Sequence, residues 1–111
     1  MTIRTLVNAL SLTVLCSEDQ LDQEISGGYA SDMLSCVMAG AHKGNVWVTL
    51  LTHLNVVAVA VLVEIPAVII TEHSPVEPTV LKKAETEGLV LLQTPEPTYA
   101  VVGKLYELGV R

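Results

Sequence analysis

The chain has 111 residues, a length that fits one domain, residues 1–111, with a single hydrophobic core. Half of its residues are apolar but only 4% are aromatic, so the core must consist mainly of Val, Leu, Ile and Ala. Twelve acidic against six basic side chains give a net charge of −6, which repels a phosphate backbone and argues against binding to DNA or RNA.

The sequence contains no candidate membrane span and no secretion signal. The longest unbroken apolar run, residues 56–63, is far shorter than the roughly 20 residues of a membrane-spanning helix, and Glu64 and Pro66 close it. The first residues lack a basic region followed by an apolar stretch and a cleavage site. We therefore expect a cytoplasmic protein that does not bind membranes.

The first quarter of the chain predicts a short helix that leads into an edge strand. Apolar residues recur at helical spacing over residues 2–10, and residues 12–16 have the length and composition of a strand. An acidic loop follows at residues 17–24. The paired glycines Gly27 and Gly28 permit positive φ or a close backbone approach, so a sharp connection is expected there.

Helices and strands then alternate. Ser31 or Asp32 can cap a helix whose apolar stripe includes Met33 and Met38, and residues 46–51 form a buried strand. Local propensity favours a strand at residues 56–63. Residues 67–71 make a better strand, however, and parallel strands need a crossover between them, so residues 55–64 are assigned to a buried helix.

The same alternation continues to the end of the chain. Pro78 opens an amphipathic helix that Gly88 ends, residues 89–93 form a strand, and the last helix ends at Gly109, with Val102 and Tyr106 among the side chains expected to pack inward. The order predicts an α/β fold with three layers, in which a mainly parallel central sheet has helices on both faces.

Four stretches of the sequence resemble the DRTGG domain. They are Gly-Gly-Tyr-Ala-Ser-Asp at residues 27–32, Trp-Val-Thr-Leu-Leu-Thr-His-Leu-Asn at 47–55, Ala-Val-Ile-Ile-Thr at 67–71 and Lys-Ala-Glu-Thr-Glu-Gly at 83–88. The resemblance extends over residues 2–109, and the first 25 residues are similar to the start of the N-terminal domain of HPr kinase/phosphorylase.

This resemblance implies a fold of the HPr kinase N-terminal-domain type and an accessory role in regulation without catalysis. Such domains occur in phosphotransacetylases and beside CBS domains in some pyrophosphatases. The Asp-Arg-Thr-Gly-Gly string itself is absent, and residues 27–32 contain no Arg. An anion-binding role of that Arg therefore does not carry over to this chain.

Polar residues beside two strand-like segments form the candidate ligand site. The candidate ligand-binding residues are Gly27, Gly28, Ser31, Asp32, Thr52, His53 and Asn55. Residues 52–55 follow a strand and precede a helix, where free N–H groups can bind an anion, and residues 27–32 hold the equivalent place in the preceding unit. In the alternative interpretation, Thr52 or Asn55 caps the helix and His53 bonds to the backbone.

Three functions remain open. The first is a non-catalytic regulatory, sensor or adaptor domain that binds a small anionic metabolite, a nucleotide or a protein partner. The second is an assembly module, because the apolar helix at residues 55–64 predicts a homodimer or a larger homo-oligomer. The third is a small enzyme with His53 as general base and Asp32 orienting it.

The sequence predicts no cofactor and no metal, and the first function is preferred. No GxxxxGK[ST], GxSxG or HExxH motif occurs, so no catalytic residue is assigned. Cys16 and Cys36 lack metal-ligand spacing and are expected to be buried thiols.

Overall fold

A five-stranded sheet forms the centre of the molecule. The computed structural model describes residues 1–111. Its strands are β1 (Thr13–Cys16), β2 (Gly27–Ala30), β3 (Asn45–Thr49), β4 (Ala67–Ile70) and β5 (Val90–Gln93). Their order is β1-β5-β4-β3-β2, with β2 to β5 parallel and β1 antiparallel to β5. The first strand therefore lies at an edge, as predicted.

Five helices cover the two faces of the sheet. They are α1 (Ile3–Leu10), α2 (Leu34–Gly40), α3 (Leu54–Val63), α4 (Pro78–Glu87) and α5 (Thr98–Glu107). Helices α1 and α5 pack on one face, and α2, α3 and α4 pack on the other. This arrangement confirms the predicted three-layer α/β fold. None of the helices is both long enough and apolar enough to cross a bilayer.

The continuous apolar strands account for the two cores. Every residue of β3 and β4 is buried, so these strands must be covered on both faces. Successive side chains point to opposite faces. Val46 and Val48 therefore pack with α1 and α5, whereas Trp47 packs with α2 and α3. The alternation places one aliphatic core on each side of the sheet.

The helical assignment of residues 55–64 is confirmed by α3, against local strand propensity. The helix is the crossover between the parallel strands β3 and β4, and Glu64 ends it in the left-handed conformation (φ 65°) with its N–H bonded to the Ala60 and Val61 carbonyls. The helix buries four residues, Val56, Val57, Val59 and Ala60. Val63 is half-buried against the same core, whereas Leu54, Ala58, Val61 and Leu62 are exposed.

Strand β2 differs from the prediction. A sharp connection was expected at Gly27 and Gly28, whereas both lie in a strand that pairs with β3 and neither has a positive φ. The expected close backbone approach is present, since a Cβ on Gly27 would lie 2.8 Å from the Arg111 carbonyl oxygen. Pairing with β3, rather than β-branched composition, makes this segment a strand.

Several apolar side chains predicted to pack inward are exposed. Val102 and Tyr106 of α5 are exposed, as are Met33 and Met38 at α2. Each helix buries only the side that faces the sheet. The buried residues are Val101 and Leu105 in α5 and Val37 in the seven-residue α2, so the neighbouring apolar side chains remain exposed. The spacing of apolar residues predicts the helices correctly, but it predicts more buried residues in them than the structure has.

Candidate functional site

Three buried threonines mark the carboxyl ends of the parallel strands. Thr49 ends β3, Thr71 follows β4 and Thr94 follows β5, and none is more than 3% exposed. The Thr71 and Thr98 hydroxyls lie 2.6 Å apart, and the Thr94 hydroxyl accepts a hydrogen bond from the Glu96 N–H at 3.2 Å. These hydroxyls already have partners within the protein. The threonines therefore form a rigid edge and offer little to a ligand.

Asp32 joins the end of β2 to the end of β3. Its Oδ1 accepts hydrogen bonds from the Thr49 hydroxyl at 2.7 Å and from the Leu50 N–H at 3.0 Å. The neighbouring Ser31 carbonyl accepts a bond from the indole N–H of Trp47 at 2.9 Å. Both predicted residues thus lie at the carboxyl edge of the sheet, where their hydrogen bonds hold two strand ends together.

His53 caps α3. Its Nδ1 accepts a hydrogen bond from the Asn55 N–H at 3.0 Å, and its carbonyl accepts one from the Val56 N–H at 2.9 Å. An imidazole that accepts at Nδ1 carries its proton at Nε2, and this side chain is exposed. The bond of His53 to the backbone agrees with the alternative interpretation, but the helix is capped by His53 itself and not by Thr52 or Asn55. The Nε2 donor lies on the side of the ring opposite the capping Nδ1.

A cleft of about 450 Å³ lies between the N-terminal ends of α3 and α4. Its lining residues are Thr52, His53, Leu54, Pro75, Glu77, Thr79 and Val80. The first free N–H groups of the two helices, those of Leu54 and Thr79, have no hydrogen-bond partner in the protein. Both helix ends carry partial positive charge, whereas the exposed Glu77 carboxylate adds a negative charge at the rim.

The structure separates the predicted ligand residues into three groups. Thr52 and His53 line the cleft, and Asn55 lies in the adjoining first turn of α3. Ser31 and Asp32 share this edge of the sheet but do not line the cleft.

Gly27 and Gly28 lie at the opposite edge. They pair with Asn45 and Val46 at the start of β3, whereas residues 52–55 follow its end. The prediction treated all of residues 27–32 as a strand end, although the glycines begin β2. The structure therefore does not bring Gly27 and Gly28 together with the rest of the candidate site.

About half of the cleft is formed by the start of α4 and the residues just before it, and the sequence analysis did not include these residues in the candidate site. Pro75, Glu77 and Thr79 lie before or within the first turn of this helix. Pro78, which the sequence analysis placed in the first turn of a helix, is the feature that could have indicated this second helix N-terminus. Neighbouring parallel strands β3 and β4 bring the starts of their following helices to the same edge of the sheet.

The largest hollow lies at the amino edge of the sheet. It has a volume of about 680 Å³, and its charged lining residues are Asp19, Lys43, Glu64, Glu85 and Glu87. Four carboxylates against one ammonium make it unfavourable for an anion. No group of three or more His, Cys, Asp and Glu side chains is arranged to hold a metal ion.

The two cysteines are in different environments. Cys16 is buried, its Sγ lies 3.5 Å from the Leu89 carbonyl oxygen, and burial raises the pKa of its thiol. Cys36 is exposed on α2, which corrects the expectation that both thiols are buried. Both cysteines are free.

Comparison with known proteins agrees with this architecture. The family model of the DRTGG domain matches residues 5–108. No curated protein matches the chain. A similar solved structure contains the CBS and DRTGG domains of the regulatory region of Clostridium perfringens pyrophosphatase, complexed with the activator diadenosine tetraphosphate.

That structure shares 10% sequence identity with this chain and has a TM-score of 0.76. The match covers 94% of this chain and 45% of the other, so this chain spans less than half of its structural relative. The structural likeness shows the fold, and the family model covers nearly the whole sequence. The chain therefore belongs to the DRTGG domain family.

Proposed function

We propose that this domain is a regulatory module that binds a small anionic ligand in the cleft between α3 and α4. One observation carries the proposal. Two helices each contribute a backbone N–H without a protein partner, from Leu54 and Thr79, to the same cleft of about 450 Å³. The Nε2–H of His53 and the hydroxyls of Thr52 and Thr79 add donors of the kind that bind a phosphate or carboxylate.

The charges indicate that the cleft suits a ligand with a localised anionic group. Each helix N-terminus is equivalent to roughly half a positive charge, and two of them favour an anion by about 0.6–2 kcal/mol together. Glu77 and the net charge of −6 oppose a ligand with many negative charges. A phosphate or carboxylate whose remaining atoms are neutral therefore fits better than a polyanion.

A nucleotide is the ligand class that we propose. The cleft volume lies within the roughly 300–1,000 Å³ range of small-molecule sites. The regulatory region of the clostridial pyrophosphatase is complexed with a nucleotide activator. A nucleoside monophosphate combines one phosphate with a neutral ribose and base, and the ribose hydroxyls could donate to the Glu77 carboxylate.

A non-catalytic role has more support than the small-enzyme alternative. That alternative requires Asp32 to orient His53, yet Asp32 bonds to Thr49 and Leu50. The Nδ1 of His53 bonds to the Asn55 N–H instead of to a carboxylate. We therefore propose a regulatory role, and we place it in the cytoplasm, where the domain would act on a protein partner.

Self-association is a compatible second role. The face of α3 that does not enter the core exposes Leu54, Val61 and Leu62. Large exposed apolar surfaces are uncommon on monomers, so a homodimer is part of the proposal. Ligand binding would use the N-terminal end of α3 and self-association its outer side, so one does not exclude the other.

A thermal-shift experiment tests ligand binding. The parent, His53→Ala and His42→Ala are melted with AMP, ADP, ATP or inorganic phosphate. His42 is an exposed histidine near the amino edge of the sheet and serves as the matched control. A ligand at ten times its Kd stabilises the fold by about 1.4 kcal/mol, which raises Tm by roughly 6 °C in a domain of this size.

We expect a monophosphate to raise the Tm of the parent and of His42→Ala, and to raise that of His53→Ala by less than half as much. The comparison uses the ligand-induced shift, because loss of the helix cap alone lowers stability by about 0.5–2 kcal/mol. If none of the compounds shifts the parent, or if the two histidine variants respond equally, the cleft is not the site.

A further inference from the structure

Strand β2 leaves one edge of the sheet open. It is the last strand in the order β1-β5-β4-β3-β2 and pairs only with β3. The Ser31 N–H donates to the Val48 carbonyl at 3.3 Å, and every second residue of a parallel strand directs both of its backbone groups to the same neighbour. Gly28 and Ala30 therefore direct their N–H and carbonyl groups away from β3, where no protein group bonds to them.

The opposite edge strand has a protection that β2 lacks. In β1 the register shifts between Val14 and Cys16, and such a bulge twists an edge away from further pairing. Strand β2 pairs with β3 in unbroken register and contains neither a charged residue nor a proline. Natural proteins use these devices to prevent edge-to-edge pairing, so the bare edge of β2 is available to an added strand.

An apolar pocket of about 170 Å³ lies beside this open edge. On the sheet side it is lined by Gly28 and Ala30, which carry almost no side chain, whereas the Tyr29 side chain packs on the other face of the sheet. The apolar residues on the helix side are Val102, Leu105, Tyr106 and Val110. The two residues with open backbone groups therefore also form the pocket wall that has no bulk.

The size of the pocket fits one side chain and not a whole ligand. Its volume is well below the roughly 300–1,000 Å³ of small-molecule sites. Most of its lining is apolar, so an aliphatic or aromatic side chain suits it. A peptide strand that pairs with Gly28 and Ala30 places every second side chain on the pocket face of the sheet. The pocket and the open edge thus fit the same extended peptide.

Arg111 supplies the charge at the pocket. Its guanidinium lies 4.4 Å from the centroid of the Tyr106 ring, and its Nε donates to the Tyr106 carbonyl at 3.3 Å. The guanidinium is in no ion pair, and no acidic side chain lines the pocket, although the chain has twelve acidic residues. An acidic residue two positions from the apolar one lies on the same face of a peptide strand and would pair with Arg111.

We propose that β2 binds an extended segment of another protein by strand addition, with an aliphatic or aromatic side chain in the pocket and a nearby carboxylate at Arg111. A second copy of β2 does not satisfy this geometry. When two copies pair edge to edge as antiparallel strands about a two-fold axis, the side chains on the pocket face are those of Gly28 and Ala30, which leave both pockets empty. The inference does not depend on ligand binding in the cleft between α3 and α4.

A designed peptide probes this surface in either strand direction. The acetylated and amidated sequence Thr-Asp-Thr-Leu-Thr-Asp-Thr places Leu on one face, with an Asp two positions away on each side. One control peptide has Ala in place of Leu, and another has Asn in place of both Asp residues. NMR titration of the whole chain with up to about 2 mM peptide covers Kd values of about 0.1–1 mM.

We expect the Leu peptide to bind saturably and to slow hydrogen exchange of the Gly28 and Ala30 N–H groups. Exchange of the Tyr29 N–H should not change, because that group already bonds to β3. This alternation is specific to strand addition, since a side chain held only in the pocket leaves the backbone groups in water. The two control peptides should bind at least about fivefold more weakly.

Substitutions on α5 and at Arg111 test the pocket itself. Val102→Glu places a carboxylate at the pocket and should weaken binding at least about tenfold. Tyr99→Glu adds the same charge to α5 at a residue that is 92% exposed and does not line the pocket, so it should bind like the parent. Arg111→Gln removes the exposed cation and should weaken binding about threefold or more, and it replaces Val102→Glu if that variant is unfolded.

Three results would overturn the proposal. The first is no saturable change with the Leu peptide at about 2 mM, and the second is equal binding by Val102→Glu, Arg111→Gln and Tyr99→Glu. The third is a saturated complex in which the Gly28 and Ala30 N–H groups exchange as fast as in the free protein. Protection of these two groups that rises with protein concentration in the absence of peptide would show a second copy on this edge and would contradict the choice of occupant.

Discussion

Removal of the Asp32 carboxylate should destabilise the fold measurably. Asp32→Ala deletes the acceptor of two hydrogen bonds, one from the buried Thr49 hydroxyl and one from the Leu50 N–H. Bonds to a charged group contribute about 1.5–3 kcal/mol each, and exposure of Asp32 reduces this to about 1 kcal/mol. The expected loss of unfolding free energy is therefore about 2 kcal/mol.

The corresponding change in melting temperature follows from the size of the domain. An unfolding entropy of about 2.1 cal/mol/K per residue amounts to roughly 0.23 kcal/mol/K for the chain, so 2 kcal/mol lowers Tm by about 9 °C. Calorimetry on Asp32→Ala, Asp32→Asn and Glu107→Ala measures the effect. Asp32→Asn keeps an oxygen acceptor and should lose about half as much, whereas Glu107→Ala removes an equal charge from the exposed end of α5. If Asp32→Ala melts within about 2 °C of Glu107→Ala, the carboxylate does not hold the two strand ends together.

Two further predictions concern other parts of the fold. Gly27→Ala should lower stability by about 1–3 kcal/mol, because its Cβ would meet the Arg111 carbonyl, whereas Gly103→Ala, with open space inside a helix, should raise stability by about 0.5–1 kcal/mol; urea unfolding of both variants gives the signs. Alkylation of the native protein at pH 8 should modify Cys36 and spare Cys16, because burial raises the pKa of the Cys16 thiol and limits access to it; equal modification of both in a mass spectrum would contradict the buried position of Cys16.

The fold was predictable where apolar patterns and chain topology agree. Residues 67–70 and 90–92 are continuous apolar runs in strands, and the rule that parallel strands need a crossover assigned α3 to a helix in spite of its Val-rich composition. Strand β2 was not predictable in the same way. In its Gly-Gly-Tyr-Ala sequence only Tyr29 favours a strand, and the segment is a strand because β3 lies beside it.

The candidate site was predictable only in part. Thr52 and His53 are polar residues between a buried strand and a helix, a local pattern that the sequence displays directly. Glu77 and Thr79 belong to another strand–helix connection, and their place in the cleft depends on the adjacency of β3 and β4. Gly27 was assigned to the wrong edge because a glycine pair does not reveal whether a strand begins or ends there.

Amide chemical-shift mapping tests the central claim, that an anionic ligand binds between α3 and α4, most directly. Two-dimensional NMR spectra of the ¹⁵N-labelled protein are recorded during titration with AMP, with adenosine as the control that lacks the phosphate. The unpaired N–H groups of Leu54 and Thr79 should move most, together with the Asn55 N–H that His53 caps, and adenosine should move them far less. Saturable shifts centred on the opposite edge of the sheet, near Gly27 and Gly28, or no saturable shift with either compound, would contradict the account.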